Sequence, residues 1–305
     1  MVNKKQYRQH KWQNFWLTLA LFGGLLSLTG LMGYVLMGIS GLIWAGLIGA
    51  FALYMSTRIP AQIIMRMQKG RLLSGREAPQ LYQLVKELSQ RANLPKMPKL
   101  YYIPQAQLNA FATGNKKDPA IALTHGLIQQ LNARELSGVI AHEISHIVNN
   151  DLQLKMMVNT MGQATRTFAL IGQFLLFINL PMLLFGEAPF PWFLIALLLF
   201  APALNTLMIL AFSRTREFEA DLGAAQLTGD PLGLAQALQK LNYINEGGWI
   251  SWLRPVRQIF IPPYLRTHPT TKERVEKLKA LAPKMKPLIR FPEELFVRWM
   301  SQGLL

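Results

Sequence analysis

Residues 139–150 read VIAHEISHIVNN and contain the five-residue pattern that begins at His142 and ends at His146. On an α-helix, residues four positions apart lie on one face, so both imidazoles can bind a single cation. Glu143 follows His142 and can take a proton from a water molecule beside that cation. This is the H-E-x-x-H arrangement of zinc hydrolases, and the mostly apolar flanks indicate a buried helix. Five residues can also match by chance, so a third ligand must come from elsewhere in the chain.

Composition and charge favour a membrane protein. The chain has 305 residues, of which 51% are hydrophobic, and its net charge is +16. The basic residues cluster beside apolar stretches, as expected for a protein that faces an anionic lipid leaflet. We expect no nucleic-acid partner, because no base-reading or base-stacking motif is visible. The chain contains no cysteine, so a zinc site must use histidine and carboxylate ligands.

Two long apolar stretches predict four transmembrane helices in two hairpins. The first, residues 15–57, contains no charged residue and is long enough for two helices joined near Gly38-Ile39-Ser40-Gly41. The second, residues 167–212, contains one charge, Glu187, which we interpret as the hairpin tip. Basic residues at the hairpin ends place both termini and the site in the cytoplasm. Two core helices of a soluble domain are the alternative for the second stretch.

The more polar parts of the chain predict a small α+β domain. The pattern indicates a helix over residues 77–93, strands over 100–103 and 120–123, and a turn at Gly114-Asn115. Asn132 with Glu135 forms a capping box for the helix that carries the two histidines. We expect Ser213 to cap a new helix that ends before Gly229, and Asp230-Pro231 to begin the next one.

A candidate third ligand lies in residues 214–221, which read RTREFEAD. Glu217 and Asp221 are four residues apart and share a helix face, so one can bind the metal while the other accepts the free ring N–H of a zinc histidine. Glu219 lies about 200° around the helix from Glu217 and cannot face the same metal. The alternative is an acidic trio that pairs with the neighbouring arginines on a solvated face.

With these motifs in place, the chain resembles the membrane-bound HtpX heat-shock proteases of bacteria, relatives of the CAAX prenyl proteases. Four motifs in the family's order carry the resemblance over roughly residues 10–282: NAFATG at 109–114, the AHEISH helix with Asp151 beyond it, REFEAD at 216–221, and THP at 267–269 followed by Arg274. The resemblance implies a zincin-like (gluzincin) α+β domain with a small sheet, joined to the membrane hairpins.

The resemblance also implies roles for individual residues. His142, His146 and Glu217 would bind one Zn²⁺ per chain, and Glu143 would be the catalytic base. Asp221 would orient a ligand, His268 would help to stabilise the transition state, and Arg274 would hold the segment around His268. An edge strand would pair with the extended backbone of a polypeptide substrate through Asn109, Ala110, Phe111 and Ala112.

Two positions depart from the family pattern. Asn150 stands where the family usually has glycine, and we expect it to adopt the same left-handed conformation. His125 stands where the family commonly has threonine, and we expect a surface or pocket-rim residue. The loop 245–267 and the tail from residue 283 onward have no clear match.

The sequence therefore predicts a mainly α integral membrane protein built from five segments. These are a basic segment and first hairpin (1–57), the first part of the protease domain (58–164), the second hairpin (165–212), the second part of the protease domain (213–285) and an amphipathic tail (286–305).

The expected function is zinc-dependent endopeptidase activity in quality control and stress response. The enzyme would act on misfolded or damaged membrane proteins at the cytoplasmic face of the inner membrane. An intramembrane protease is disfavoured because Arg134, Glu135 and Asp151 make the metal helix too polar to span. A catalytically silent scaffold or chaperone-like binder is disfavoured because it would not need Glu143. The sequence does not indicate the physiological substrates, the oligomeric state or the regulation.

Overall fold

The computed structural model describes residues 4–56, 60–186, 190–247 and 271–289. They belong to two compact units: a mixed unit from residues 59–152 and 216–305, and a helical unit from residues 3–58 and 153–215. In chain order the elements are α1 (Lys4–Ser56), α2 (Ala61–Met67), β1 (Arg71–Leu72), α3 (Pro79–Arg91), β2 (Lys99–Ile103), β3 (Ala110–Asn115), β4 (Asp118–Thr124), α4 (His125–Gln130), α5 (Ala133–Val148), α6 (Asp151–Leu183), α7 (Trp192–Thr228), α8 (Pro231–Gly247) and α9 (Thr271–Leu281).

Within the described residues, three helices are long and apolar enough to cross a membrane. They are Thr18–Phe51 within α1, the whole of α6 and the whole of α7. Large apolar side chains on these helices are exposed, among them Phe51, Phe177 and Phe200. Exposed apolar surface of this extent is expected where lipid, and not water, surrounds the helices. The chain is therefore a mainly helical membrane protein.

Helix α1 contains a sharp break. Met37 and Gly38 have non-helical backbone angles, and Gly38 has a φ of 64°. A Cβ atom added to Gly33 would lie 2.6 Å from the carbonyl oxygen of Gly41. On an uninterrupted helix, residues eight apart are separated by about 12 Å. The chain therefore reverses direction at the break, which coincides with the turn that the sequence predicts there.

Helices α6 and α7 are longer than the sequence suggests. The expected new helix at Ser213 is wrong, because α7 runs from Trp192 to Thr228 without interruption. Residues 203–215 contain no proline or glycine that could end the helix. Inside the helical unit the amide nitrogen of Asn205 donates a hydrogen bond of 2.6 Å to the hydroxyl oxygen of Thr165. Both side chains are buried, so this polar contact joins α6 to α7.

The mixed unit is built on a four-stranded sheet with the strand order β1-β2-β4-β3. Strand β2 is parallel to β4, whereas β1 and β3 are antiparallel to their neighbours. Strand β3 thus forms an edge of the sheet. It continues through Gly114 and Asn115, which pair with Pro119 and Asp118. The turn therefore lies at residues 116–117, two residues beyond the predicted position, because Gly114 and Asn115 still belong to the ladder.

Each face of the sheet is covered by different helices. Leu100, Ile121 and Leu123 belong to a large core that includes buried side chains of α3, α5, α8 and α9. On the opposite face, Ala61 and Met65 of α2 pack with Tyr101, Ile103, Ala120 and Ala122.

Local signals define both ends of α5. The Asn132 side chain accepts a hydrogen bond from the Glu135 backbone, and the Glu135 side chain accepts one from the Asn132 backbone, so the predicted capping box is confirmed. Asn150 has a φ of 58°, which confirms the left-handed conformation expected where the family has glycine. The chain turns there and begins α6 at Asp151.

We predict that Gly138→Ala destabilises the mixed unit. A Cβ atom at this position of α5 would lie 2.7 Å from the backbone nitrogen and 2.8 Å from the Cα of Leu234 in α8. Backbone atoms cannot rotate away, so the helices must separate at a cost of about 1–3 kcal/mol. Gly46→Ala is the control, because a Cβ atom there meets nothing within 4 Å. The measurement is the thermal unfolding midpoint of each variant in detergent, and equal midpoints would contradict the predicted close packing.

Candidate metal centre

Helices α5 and α7 bring two histidines and one glutamate together inside the mixed unit. His142 and His146 lie on α5, and Glu217 lies on α7. All three side chains are buried. One potential ligand atom from each residue lies within 4.8 Å of the others. The two imidazoles and the carboxylate therefore form a group that could hold a metal ion.

The distances from the two imidazoles to the Glu217 carboxylate are close to the separation of ligands around a tetrahedral metal. Nε2 of His142 lies 3.4 Å from Oε2 of Glu217, and Nε2 of His146 lies 3.6 Å from Oε1 of the same carboxylate. Ligands bound to zinc at about 2.0–2.1 Å in a tetrahedron are separated by about 3.3 Å. Two histidines with one glutamate are also a donor set found in catalytic zinc sites, where a fourth position is left for water.

A carboxylate contacts the other nitrogen of each imidazole. Nδ1 of His142 lies 3.0 Å from Oδ1 of Asp221, and Nδ1 of His146 lies 2.8 Å from Oδ2 of Asp151. Carboxylates in this position select the tautomer whose Nε2 lone pair faces the metal. The sequence predicts such a role for Asp221 but not for Asp151. The sequence feature that could have identified Asp151 is its position five residues after His146. It directly follows Asn150, which adopts the left-handed conformation.

Two buried arginines accompany the carboxylates. Arg274 of α9 binds Asp221 through two hydrogen bonds of 2.8 and 2.6 Å, and its Nη1 lies 3.2 Å from Glu217. Arg216 donates a hydrogen bond of 2.7 Å to Glu219, and the same nitrogen lies 3.5 Å from Asp151. Buried charges of opposite sign stabilise one another in this way. The resemblance implies that Arg274 holds the segment around His268, whereas its described contacts are with the two carboxylates of α7.

The surroundings of His142 alter its affinity for protons. Burial alone would lower the pKa of His142, but the neighbouring carboxylates Asp221 and Glu217 outweigh it and raise the pKa to about 9. The imidazole therefore carries a proton at neutral pH in the metal-free protein. A metal ion must displace that proton, because only the neutral ring has a free lone pair for the metal.

A glycine allows α7 to approach α5 closely. A Cβ atom added to Gly223 would lie 2.0 Å from Oγ and 2.9 Å from Cβ of Ser145. Gly223 lies two residues after Asp221, and Ser145 lies next to His146. Any larger residue at this position would push apart the helices that carry the histidines and Glu217.

Glu143 contacts the edge strand. The backbone N–H of Ala112 donates a hydrogen bond of 2.8 Å to Oε2 of Glu143. Thr124 of β4 donates its backbone N–H to the carbonyl of Asn109, and hydrogen-bonded pairs alternate along an antiparallel ladder. The backbone groups of Ala110, Ala112 and Gly114 thus point away from β4. The Glu143 carboxylate is therefore held by an outward-facing group of the edge strand.

Other residues singled out by the sequence fall in different places. Asn109 pairs with Thr124 through its backbone, whereas Phe111 packs against the core beneath α2. His125 is half-buried and its Nδ1 lies 2.9 Å from the hydroxyl of Tyr102. His268, most of the loop 245–267 and most of the tail from 286 lie outside the described residues.

Comparisons with known proteins identify the family of the chain. Residues 75–282 match the model of peptidase family M48. The chain is 38% identical over 297 residues to a protein named Protease HtpX homolog from Acaryochloris marina, which covers 90% of this chain and 97% of the relative. Relatives of the same name are 34% identical in Sulfurihydrogenibium sp. over 296 residues (88% and 97%) and 35% identical in Paenarthrobacter aurescens over 301 residues (90% and 98%).

A solved structure supports the fold. The crystal structure of Ste24p from S. mikatae matches with a TM-score of 0.53 and 20% identity, over 90% of this chain and 67% of that chain. At 20% identity the match is evidence for the fold only. The family match covers more than half of the chain, and the relatives extend over nearly all of it. The chain therefore belongs to peptidase family M48 and is a membrane metallopeptidase related to the HtpX proteases.

Proposed function

We propose that this metallopeptidase is a zinc-dependent endopeptidase in which His142, His146 and Glu217 bind the metal and Glu143 is the general base. One observation carries the proposal: one ligand atom each from His142, His146 and Glu217 lies within 4.8 Å of the others at a buried site. When bound there, zinc would supply the Lewis acid that activates water near neutral pH and polarises the peptide carbonyl.

The chain's own residues move the proton. Glu143 takes a proton from the attacking water and returns it to the nitrogen of the leaving amine. The hydrogen bond from the Ala112 N–H to Oε2 holds one carboxylate oxygen and leaves Oε1 for the proton transfer. His268 would stabilise the negative charge that develops on the carbonyl oxygen. This role is carried over from the resemblance.

The substrate would bind as an extended strand along β3. The outward backbone groups of Ala110 and Gly114, together with the carbonyl of Ala112, offer hydrogen bonds to a polypeptide backbone. Such contacts recognise the backbone of the substrate and do not depend on its side chains. A site of this kind favours unfolded or damaged polypeptides, because folded proteins rarely present a free strand.

We further infer that the enzyme is an integral protein of the inner membrane with its site on the cytoplasmic face. The reversal at Gly38 in α1, together with α6 and α7, supports four transmembrane helices in two hairpins. Basic residues at the hairpin ends support a site on the cytoplasmic face of the inner membrane. Misfolded membrane proteins would then be within reach, as expected for a quality-control protease of the heat-shock type.

We predict that Glu143→Gln abolishes cleavage of casein but retains zinc. The amide keeps the shape of the side chain but cannot accept the proton, and a general base contributes about 10²–10⁴-fold to the rate. The measurements are casein cleavage and zinc content of the full chain purified in detergent. Glu276→Gln, an exposed residue of α9, is the matched control and should retain the wild-type rate. Cleavage by Glu143→Gln at the wild-type rate would refute the assignment.

We predict that Asp151→Asn and Asp221→Asn each weaken zinc affinity. A neutral amide no longer stabilises the ring N–H of the zinc histidine, and loss of such a partner costs about 10–100-fold in affinity. The measurement is zinc competition with a chromogenic chelator.

Asp230→Asn is the control for loss of a carboxylate, because Asp230 forms its ion pair with Arg134 and contacts neither histidine in the described contacts. It should leave zinc affinity unchanged. If Asp151→Asn also left it unchanged, the contact between Asp151 and His146 would have no part in holding the metal.

A further inference from the structure

Helix α2 is apolar on two opposite faces. Ala61 and Met65 are buried against the sheet, whereas Ile63 and Met67 are 50% and 78% exposed. Residues four apart share one side of a helix, so Ile63 and Met67 form an outward pair. Packing among the described residues accounts for the inner face of α2 but not for the outer one.

Strand β1 extends this apolar surface. Leu72 is 54% exposed and pairs with Tyr101 in the sheet. Paired residues point to the same face, and Tyr101 packs with the inner side of α2. Leu72 therefore lies on the same side of the sheet as α2. We call Ile63, Met67 and Leu72, with the exposed cations Arg66 and Lys69, the α2 patch.

The charge of this region has one sign. Residues 60–76 contain four basic residues and no aspartate or glutamate. Arg71 is engaged, since its guanidinium pairs with Glu77 and lies 5.8 Å from the centre of the Tyr102 ring. Arg66 and Lys69 are exposed beside the outward apolar pair. Apolar side chains flanked by cations are typical of helices that lie in the interface of an anionic bilayer.

Chain connectivity brings α2 to the membrane. Only residues 57–60 separate the end of α1 at Ser56 from the start of α2 at Ala61. An extended chain covers at most about 3.3–3.6 Å per residue, so α2 begins near the end of a helix apolar enough to span. A bilayer surface is thus the partner within reach whose chemistry matches both the apolar pair and the cations.

We propose that the α2 patch docks on the surface of an anionic lipid bilayer. Ile63 and Met67 enter the boundary between headgroups and acyl chains, and Leu72 lies against it. Arg66 and Lys69 pair with lipid phosphates.

The absence of native cysteine permits a direct test on the full chain. Met67→Cys carries an environment-sensitive fluorophore in nanodiscs of phosphatidylcholine with phosphatidylglycerol. Gln90→Cys, exposed on α3, is the matched control. We expect the label at 67 to be quenched by doxyl-labelled lipid and several-fold less by aqueous iodide, and the label at 90 to show the reverse. Iodide quenching at 67 equal to that at 90 would overturn the proposal, and so would protection at 67 from both quenchers, which indicates a protein partner.

The role of Arg66 and Lys69 is tested with the same fluorophore at position 67. Shielding at position 67 should be stronger in anionic nanodiscs than in pure phosphatidylcholine, and the double variant Arg66→Glu/Lys69→Glu should remove that difference. The double variant changes exposed residues remote in sequence from the metal centre, so its casein cleavage in detergent should equal the wild-type rate. Equal shielding in both lipids, with or without charge reversal, would refute the requirement for anionic lipid.

Discussion

Four carboxylates are buried around the two imidazoles of α5, and this concentration of negative charge constrains the whole mixed unit. Glu143, Asp151, Glu217 and Asp221 are all nearly inaccessible to solvent. Removing ionised groups from water costs several kcal/mol per ion unless charges of opposite sign are close. Arg216 and Arg274 provide two of these charges, and a divalent ion bound by the histidines and Glu217 would provide the rest. The metal is therefore expected to stabilise the fold as well as to take part in catalysis.

The partners of these charges come from widely separated parts of the chain. Arg274 joins α9 to α7 through Asp221 and Glu217, while Asp151, at the start of α6, contacts His146 of α5. An acidic residue in the first turn of a helix is favoured by the helix dipole. Each imidazole is thus oriented by a carboxylate on a different helix. A shift of α5 or α7 would move a proposed ligand. The close approach of Gly223 in α7 to Ser145 in α5 leaves little space for such a shift.

The sequence predicts the parts of this site that depend on helical spacing. The shared face of His142 and His146 follows from their separation by four residues, and the buried α5 follows from its apolar flanks. Asp151 escapes this reasoning because the helix ends before it: Asn150 adopts a left-handed conformation, and the position of the next residue cannot be read from a helical wheel. The helix start predicted at Ser213 is wrong for a different reason. A capping residue permits a helix to begin but does not require it, and the apolar sequence that leads into Ser213 lets α7 continue without interruption.

The contact between Ala112 and Glu143 also lies beyond sequence reasoning, because a backbone N–H leaves no mark on the residue type. In the proposed mechanism it links substrate binding to catalysis. The N–H that holds Glu143, the proposed base, belongs to the same outward-facing series as the groups proposed to pair with substrate. In the proposed binding mode, a substrate strand along β3 leaves this one donor unpaired and forms its hydrogen bonds on either side of it. The peptide bond opposite Ala112 then lies beside the carboxylate of Glu143. In this arrangement the edge strand selects which bond of an otherwise featureless backbone is presented to the base.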